Sequence, residues 1–167
     1  MHTLETKLGY VFHRPELLEN ALYHSSYANE HRGAGISSNE RLEFLGDAVL
    51  GFVTAEYLYT KHPDMPEGDL TRIRAALVCE ESLHEVAQYL GLGEYLRLGR
   101  GEELGGGRRR PSILADATES VFAAVYLDGG MDAARDLIHR VLLDKEQEEQ
   151  VEERRRDYKT ELQELVQ

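Results

Sequence analysis

The sequence predicts an all-α fold on three observations. Apolar residues recur at helical spacing, the segment ends carry capping and breaking residues, and no run alternates as a half-buried strand would. A first helix opens at Arg14-Pro15 and places Leu17, Leu18, Ala21 and Leu22 on its apolar side. Proline is tolerated there because the first helical N–H needs no partner within the helix. His31 to Ser38, with Gly33 and Gly35, reads as a loop. Ser37, Ser38 and Asn39 then offer caps for a long helix from about Glu40 to Tyr59. The segment His62-Pro63-Asp64-Met65-Pro66-Glu67-Gly68 ends it, because prolines and glycine break the helical pattern. A further helix from about Asp69 carries Ile73, Leu77, Val86, Ala87 and Leu90 and stops at Gly91. Gly99 to Pro111 reads as a glycine- and arginine-rich loop. Ser112 caps an element running to Leu127, closed by Asp128-Gly129-Gly130, and a last helix begins near Met131.

A chain of 167 residues fits one ordinary domain and can bury a sizeable core without a disulfide or metal staple. The single Cys79 excludes an internal disulfide framework and a zinc ribbon, and its run Ala75-Ala76-Leu77-Val78-Cys79 looks core-like and inert. No apolar stretch follows Met1, and the longest apolar run, Val121 to Leu127, is far too short to span a membrane. The expectation is a cytoplasmic protein with no membrane association. A formal charge of −12 argues, taken alone, against a nucleic-acid partner, since phosphate binders usually carry a basic surplus.

Two apolar helices carry carboxylates where none are expected. Between positions 41 and 60 the charged side chains are Arg41, Glu43, Asp47 and Glu56. At about 100° per residue, Glu40, Glu43 and Asp47 fall within an arc of roughly 60°, opposite Leu42, Leu45, Val49, Phe52 and Val53 as a core face. Phe44, Leu50, Gly51 and Leu58 share or flank the acidic side, which suggests a helix packed on two faces. From Ile113 to Leu127 the charges are Asp116 and Glu119, neighbours at i, i+3 amid apolar residues. Buried carboxylates that repel one another are relieved by a divalent cation, and oxygen-rich sites suit Mg²⁺ or Mn²⁺. Glu67, on the Pro66-Glu67-Gly68 turn, could add an oxygen.

Plainer readings exist for several of these residues. Glu40 follows Ser37 by three positions and could complete a capping box. Asp116 could favour the positive end of its helix, Glu67 could be ordinary surface, and Glu43 with Asp47 could be a solvated stripe. The histidines show no metal-ligand spacing and read as surface or satisfied core. Arg97, Arg100, Arg108, Arg109 and Arg110 among glycines could cradle phosphate or form a solvated loop.

Asn39-Glu40-Arg41-Leu42-Glu43-Phe44-Leu45-Gly46-Asp47-Ala48-Val49-Leu50 resembles the signature motif of the ribonuclease III family. The resemblance runs through Leu8-Gly9-Tyr10-Val11-Phe12, Ser26-Tyr27-Ala28-Asn29-Glu30, Glu67-Gly68-Asp69-Leu70-Thr71-Arg72 and Ser112-Ile113-Leu114-Ala115-Asp116-Ala117-Thr118-Glu119. It implies the all-α, dimeric endonuclease-domain fold and Mg²⁺-dependent hydrolysis of double-stranded RNA, with Mn²⁺ as a substitute ion. The ends would be 5′-phosphate and 3′-hydroxyl, and the role would be processing of rRNA and mRNA precursors without an organic cofactor. By the same resemblance, Glu43, Asp116 and Glu119 would hold the metal, while Asp47 and Glu119 would be catalytic. Glu40 and Glu67 match further acidic positions near the cleavage site, and Phe44 matches an aromatic that inserts into the partner subunit of a homodimer.

Some positions depart from the family pattern. Tyr23 and Ser25 stand where Thr and Arg are common, Ala123 replaces a glycine and Gly105 a serine. These touch packing or RNA contacts and leave the carboxylates intact. Residues 1–150 are expected to form the nuclease domain. Residues 151–167 are expected to be a linker and the start of a double-stranded-RNA-binding domain, because Asp157-Tyr158-Lys159-Thr160 and Leu162-Gln163-Glu164 resemble that domain's opening. The highly charged stretch from Asp144 to Asp157 reads as a solvated helix end or linker. Two other classes remain open: a di-iron bundle using Glu81-Ser82-Leu83-His84, and a non-catalytic RNA-binding scaffold. The first lacks a second Glu-x-x-His, with Asp136-Leu137-Ile138-His139 the nearest imitation.

Overall fold

The computed structural model describes residues 1–144. Most of the Asp144–Asp157 run and all of the Asp157–Leu165 pattern lie outside the described residues. The helices are α1 (His2–Leu8), α2 (Pro15–Ala21), α3 (Ser25–Glu30), α4 (Glu40–Lys61), α5 (Glu67–Leu77), α6 (Glu80–Leu90), α7 (Arg100–Leu104), α8 (Pro111–Gly129) and α9 (Met131–Ile138). A π-helical turn, His139–Leu143, continues α9. Among the described residues the extended pairing is a single parallel bridge between Tyr23 and Arg97, so the all-α expectation holds.

The centre of the fold is α8. It packs against α2, α4, α6 and α9, and from Ile113 to Val125 every residue except Asp116 is buried. A helix hydrophobic all round can only be a core helix, and Phe122 is fully enclosed at its middle. Against it, α4 buries Leu42, Gly46, Val49, Leu50, Val53 and Leu58. At Gly46 the two helices touch backbone to backbone. A Cβ there would lie 1.8 Å from the carbonyl oxygen of Glu119, so only glycine permits the approach. Asn39 starts α4 without a side-chain cap. Its Nδ2 donates to the Ala21 carbonyl at 2.9 Å, and Ser120 Oγ donates to the Asn39 carbonyl at 3.2 Å. The start of α4 is therefore tied to α2 and α8.

Several expectations change. Phe52 is exposed, not core: Phe44, Ala48, Phe52 and Tyr59 form an exposed stripe along α4, on a different side from Leu42, Val49 and Val53. Cys79 is exposed as the residue preceding α6, because the expected single helix from Asp69 is two helices that break at Val78-Cys79. No proline or glycine marks that break. Pro111 opens α8 with Arg110 before it, so Ser112 lies inside the first turn and is not its cap. The Gly99–Pro111 segment contains α7 and a 3-10 turn at Gly107–Arg109.

At the far end of α8, Asp128 fastens the N-terminal segment. Its buried carboxylate accepts from the Tyr10 hydroxyl at 2.6 Å and from the backbone N–H groups of His13 and Arg14, both at 2.9 Å. Burial alone would raise its pKa, but these hydrogen bonds outweigh it and hold the carboxyl at about 2. A carboxylate whose folded pKa lies below its unfolded value stabilises the fold above that unfolded value, and the effect is lost as pH falls through the folded one. The contribution here is about 2 kcal/mol, present above about pH 4 and lost toward about pH 2. Asp128→Asn is therefore expected to lower the melting temperature by roughly 5 °C at neutral pH. The difference from the parent chain should close on acidification; a constant offset down to about pH 2 would contradict this account.

Candidate metal centre

The Gly46 crossing brings two sets of carboxylates together. Glu43 lies one turn before Gly46 on α4, and Asp116 lies one turn before Glu119 on α8. Oxygens of Glu43, Asp116 and Glu119 converge within 4.8 Å of one another, and Glu119 is buried. Asp47, next to Gly46, stands exposed at the rim and shares a hydrogen bond with Glu119. Arg41, the nearest cation in sequence, forms no ion pair among the described residues.

The protons in this cluster show how strained four carboxylates are without a counter-ion. Burial pushes the Glu119 carboxyl up to about 8, and its hydrogen bond to Asp47 and the charges of Asp47, Glu43 and Asp116 add to the effect. Burial likewise raises Glu43 to about 7, reinforced by Asp116, Glu40 and Asp47. Asp116 is also raised, chiefly by burial, although the hydrogen bond from Glu43 works in the opposite direction. Near neutral pH the cluster without a bound ion therefore keeps most of the proton on Glu119, donated to Asp47, and part of one on Glu43, donated to Asp116. A positive charge placed among these oxygens would displace the protons near neutral pH. A donor set made only of carboxylate oxygens, partly sealed from water, fits a hard divalent cation.

The other expected site residues fall differently. Glu40 is the first residue of α4, exposed and close enough to Glu43 to raise its pKa, but outside the converging set. The Ser37–Glu40 capping box is not formed; instead the Glu40 N–H reaches Ser38 Oγ at 3.4 Å. Glu67 opens α5 on the surface, beside Tyr59, Leu70 and Arg74, and is not part of the cluster. Phe44 is 81% exposed beside a cavity of 720 Å³ whose lining includes Leu17, Leu42, Leu45 and Leu127. Among the described residues no histidine joins the carboxylates, so the di-iron reading through His84 or His139 has no geometric support.

The arginine-rich loop divides by role. Arg108 is structural: it pairs with Glu103 at 3.0 Å and donates to the carbonyls of Gly93 and Leu96 at 2.7 and 2.8 Å. Arg110 pairs with Glu102. Arg97, Arg100 and Arg109 make no ion pair among the described residues and remain exposed. Sequence reasoning missed Gly46 as a determinant of the site. The signal was present, since glycine in a helix interior costs about 1 kcal/mol relative to alanine and calls for a packing reason.

Comparison with known proteins agrees with this geometry. The family model described as Ribonuclease-III-like matches residues 14–146. A Ribonuclease 3 of Desulforamulus reducens is 52% identical over 164 residues, which is 98% of this chain and 67% of that protein. A Ribonuclease 3 of Listeria welshimeri is 49% identical over 98% of this chain and 71% of its own length. The solved nuclease domain of ribonuclease III from Campylobacter jejuni superposes with a TM-score of 0.78 at 42% identity, covering 83% of this chain and 93% of that one. That structure is described by the flexibility of a region involved in dimer formation. By sequence, fold and the match across most of its length, the chain belongs to the ribonuclease III family.

Proposed function

We propose that this chain is a Mg²⁺-dependent endonuclease that hydrolyses double-stranded RNA to 5′-phosphate and 3′-hydroxyl ends. The observation that carries the reading is the convergence of Glu43, Asp116 and Glu119 within 4.8 Å in a chain of this family. These three would hold the ion. When bound, it supplies a Lewis acid that lowers the pKa of water and offsets charge on the scissile phosphate. Asp47, at the rim and hydrogen-bonded to Glu119, is placed to take a proton from the attacking water. The water oxygen bonds to phosphorus, the bond from phosphorus to the 3′ oxygen breaks, and that oxygen takes a proton from solvent to leave as a hydroxyl. Glu40, one turn before Glu43, would extend the acidic edge toward the substrate. Mn²⁺ would substitute in the same oxygen cage.

Pairing of two copies suits the exposed side of α4. Phe44 beside the cavity lined by Leu17, Leu42, Leu45 and Leu127 offers both a knob and a hole on one surface, as a two-fold interface requires. Tyr59 and Phe52 continue the stripe toward α5, so Glu67 would be carried to the border of the paired surface. Each copy would then deliver one cut. Recognition of the duplex would rest on shape, phosphate and 2′-hydroxyl contacts rather than on base edges. The acid excess does not oppose this, because bound cations reverse the local field at the cluster. Residues 1–150 are proposed as the nuclease domain, with 151–167 as a linker and the start of a double-stranded-RNA-binding domain.

The test is cleavage of a long RNA duplex with and without Mg²⁺ by the parent chain and by Asp47→Asn. The parent is expected to cut only with the ion, and the variant to lose about 1,000-fold in rate. A parent chain that binds duplex but never cuts it with Mg²⁺ or Mn²⁺ would instead establish the scaffold reading.

A further inference from the structure

His24 lies between the carboxylate cluster and the arginine loop, and its ring is held in one protonation form. It immediately follows Tyr23, which bridges to Arg97 and whose carbonyl accepts from the Asn39 N–H at 2.8 Å, directly before Glu40. The His24 N–H donates to the Arg97 carbonyl at 3.0 Å, so the backbone on both sides of the ring is fixed. Nδ1 accepts from the backbone N–H of Ser26 at 3.2 Å and lies 2.7 Å from Ser26 Oγ. That hydroxyl oxygen accepts from the Gly99 N–H at 2.8 Å and has its own proton to offer to Nδ1. With the Ser26 N–H aimed at Nδ1, the neutral ring carries its hydrogen on Nε2. Among the described residues Nε2 has no hydrogen-bond partner, and it is not sealed in the interior. Burial lowers the ring's pKa while Asp116 and Glu40 act to raise it and Arg110 to lower it, so those three charges lie within electrostatic reach of the imidazole.

We propose that His24 is a substrate-contacting residue whose fixed Nε2–H donates to a phosphate oxygen of the RNA strand beside the scissile bond. The assignment rests on the duplex-cleavage reading above. It casts the residue as a donor only, because accepting a proton on Nε2 would require the hydrogen already there to leave. The arrangement also explains why Ser26 and Gly99 meet so closely: a Cβ on Gly99 would lie 2.7 Å from the Ser26 carbonyl oxygen.

His24→Asn and His24→Gln separate this role from a structural one. Asparagine keeps an acceptor for the Ser26 N–H, as residues preceding a helix commonly do, but loses the distal donor. Glutamine restores an N–H farther from the backbone. Expected results are an unchanged melting temperature for His24→Asn, kcat/KM for duplex cleavage reduced about 10- to 100-fold, and partial recovery in His24→Gln. Nitrogen chemical shifts of the parent ring should report the Nε2–H form whether or not either variant folds. Cleavage by folded His24→Asn at the parent rate, or a ring protonated on Nδ1, overturns the assignment. A parent chain that cuts no duplex would instead overturn the proposed function itself.

Discussion

Gly46→Ala is expected to lower duplex cleavage by about 100-fold and to destabilise the fold, although it alters none of the four carboxylates. The new methyl would sit 1.8 Å from the Glu119 carbonyl oxygen and 2.5 Å from its carbonyl carbon, and both are backbone atoms that cannot rotate away. Helices α4 and α8 must separate, and Glu43 and Asp47 then part from Asp116 and Glu119. A displacement of about 1 Å in a catalytic arrangement costs roughly 100-fold in rate. Overpacking costs about 1–3 kcal/mol, more than the gain of about 1 kcal/mol that alanine brings in helix propensity. Gly51→Ala, in the same helix with nothing within 4 Å of the added carbon, is the comparison and should leave stability unchanged or raise it. Melting curves and initial cleavage rates of the two variants check this. Gly46→Ala with parental stability and rate would mean that the close approach of the helices does not set the site.

Glu119→Gln is expected to lower cleavage by about 1,000-fold and yet stabilise the metal-free chain in mild alkali. A carboxyl whose folded pKa is raised to about 8 binds protons in the folded state that the unfolded chain releases above about pH 4.5. Its unfavourable contribution therefore grows as pH rises from about 4.5 to about 8 and then levels off. Because Glu119 is buried, the effect at about pH 8 is on the order of 2–4 kcal/mol. Glutamine removes the charge and can still donate to Asp47. Without divalent ions at about pH 8, the variant should melt several degrees above the parent, and the two should converge near pH 5. Added Mg²⁺ should stabilise the parent strongly and the variant weakly, and cleavage by the variant should fall by about 1,000-fold. A variant that melts below the parent at about pH 8 without metal would contradict the burial of an uncompensated charge.

The site was legible in the sequence for a physical reason. Carboxylates inside helices as apolar as α4 and α8 have no cheap place to go, so Glu43, Asp47, Asp116 and Glu119 announced themselves by their neighbours. Their convergence was not legible, because it depends on a crossing at Gly46 and on side chains separated by some seventy residues. The long helices showed their periodicity, while α1 and α3 did not. The first buries only Leu4 and Leu8, and the second has no fully buried residue, so neither leaves a pattern of useful length. Phe52 looked like core because hydrophobicity alone does not distinguish an interior face from an exposed one. Cys79 looked like core because the break between α5 and α6 uses none of the usual breaking residues. His24 lies between the two departures Tyr23 and Ser25 in a stretch that otherwise follows the family pattern, but its fixed ring was not legible, because it depends on Ser26 and on Gly99, far along the chain.

One helix, α8, joins two proton-sensitive sites with opposite responses. Asp128 near its C-terminus must stay ionised for the N-terminal segment to remain fastened, whereas Glu119, about 13 Å away along the axis, is easier to accommodate when protonated. Acid loosens one end and alkali burdens the other. Taken together, these two groups favour the fold most between their titrations, close to pH 4–5. A divalent ion at the carboxylates would remove the alkaline limb contributed by Glu119, so a single rod links ion occupancy at one end to the acid response at the other.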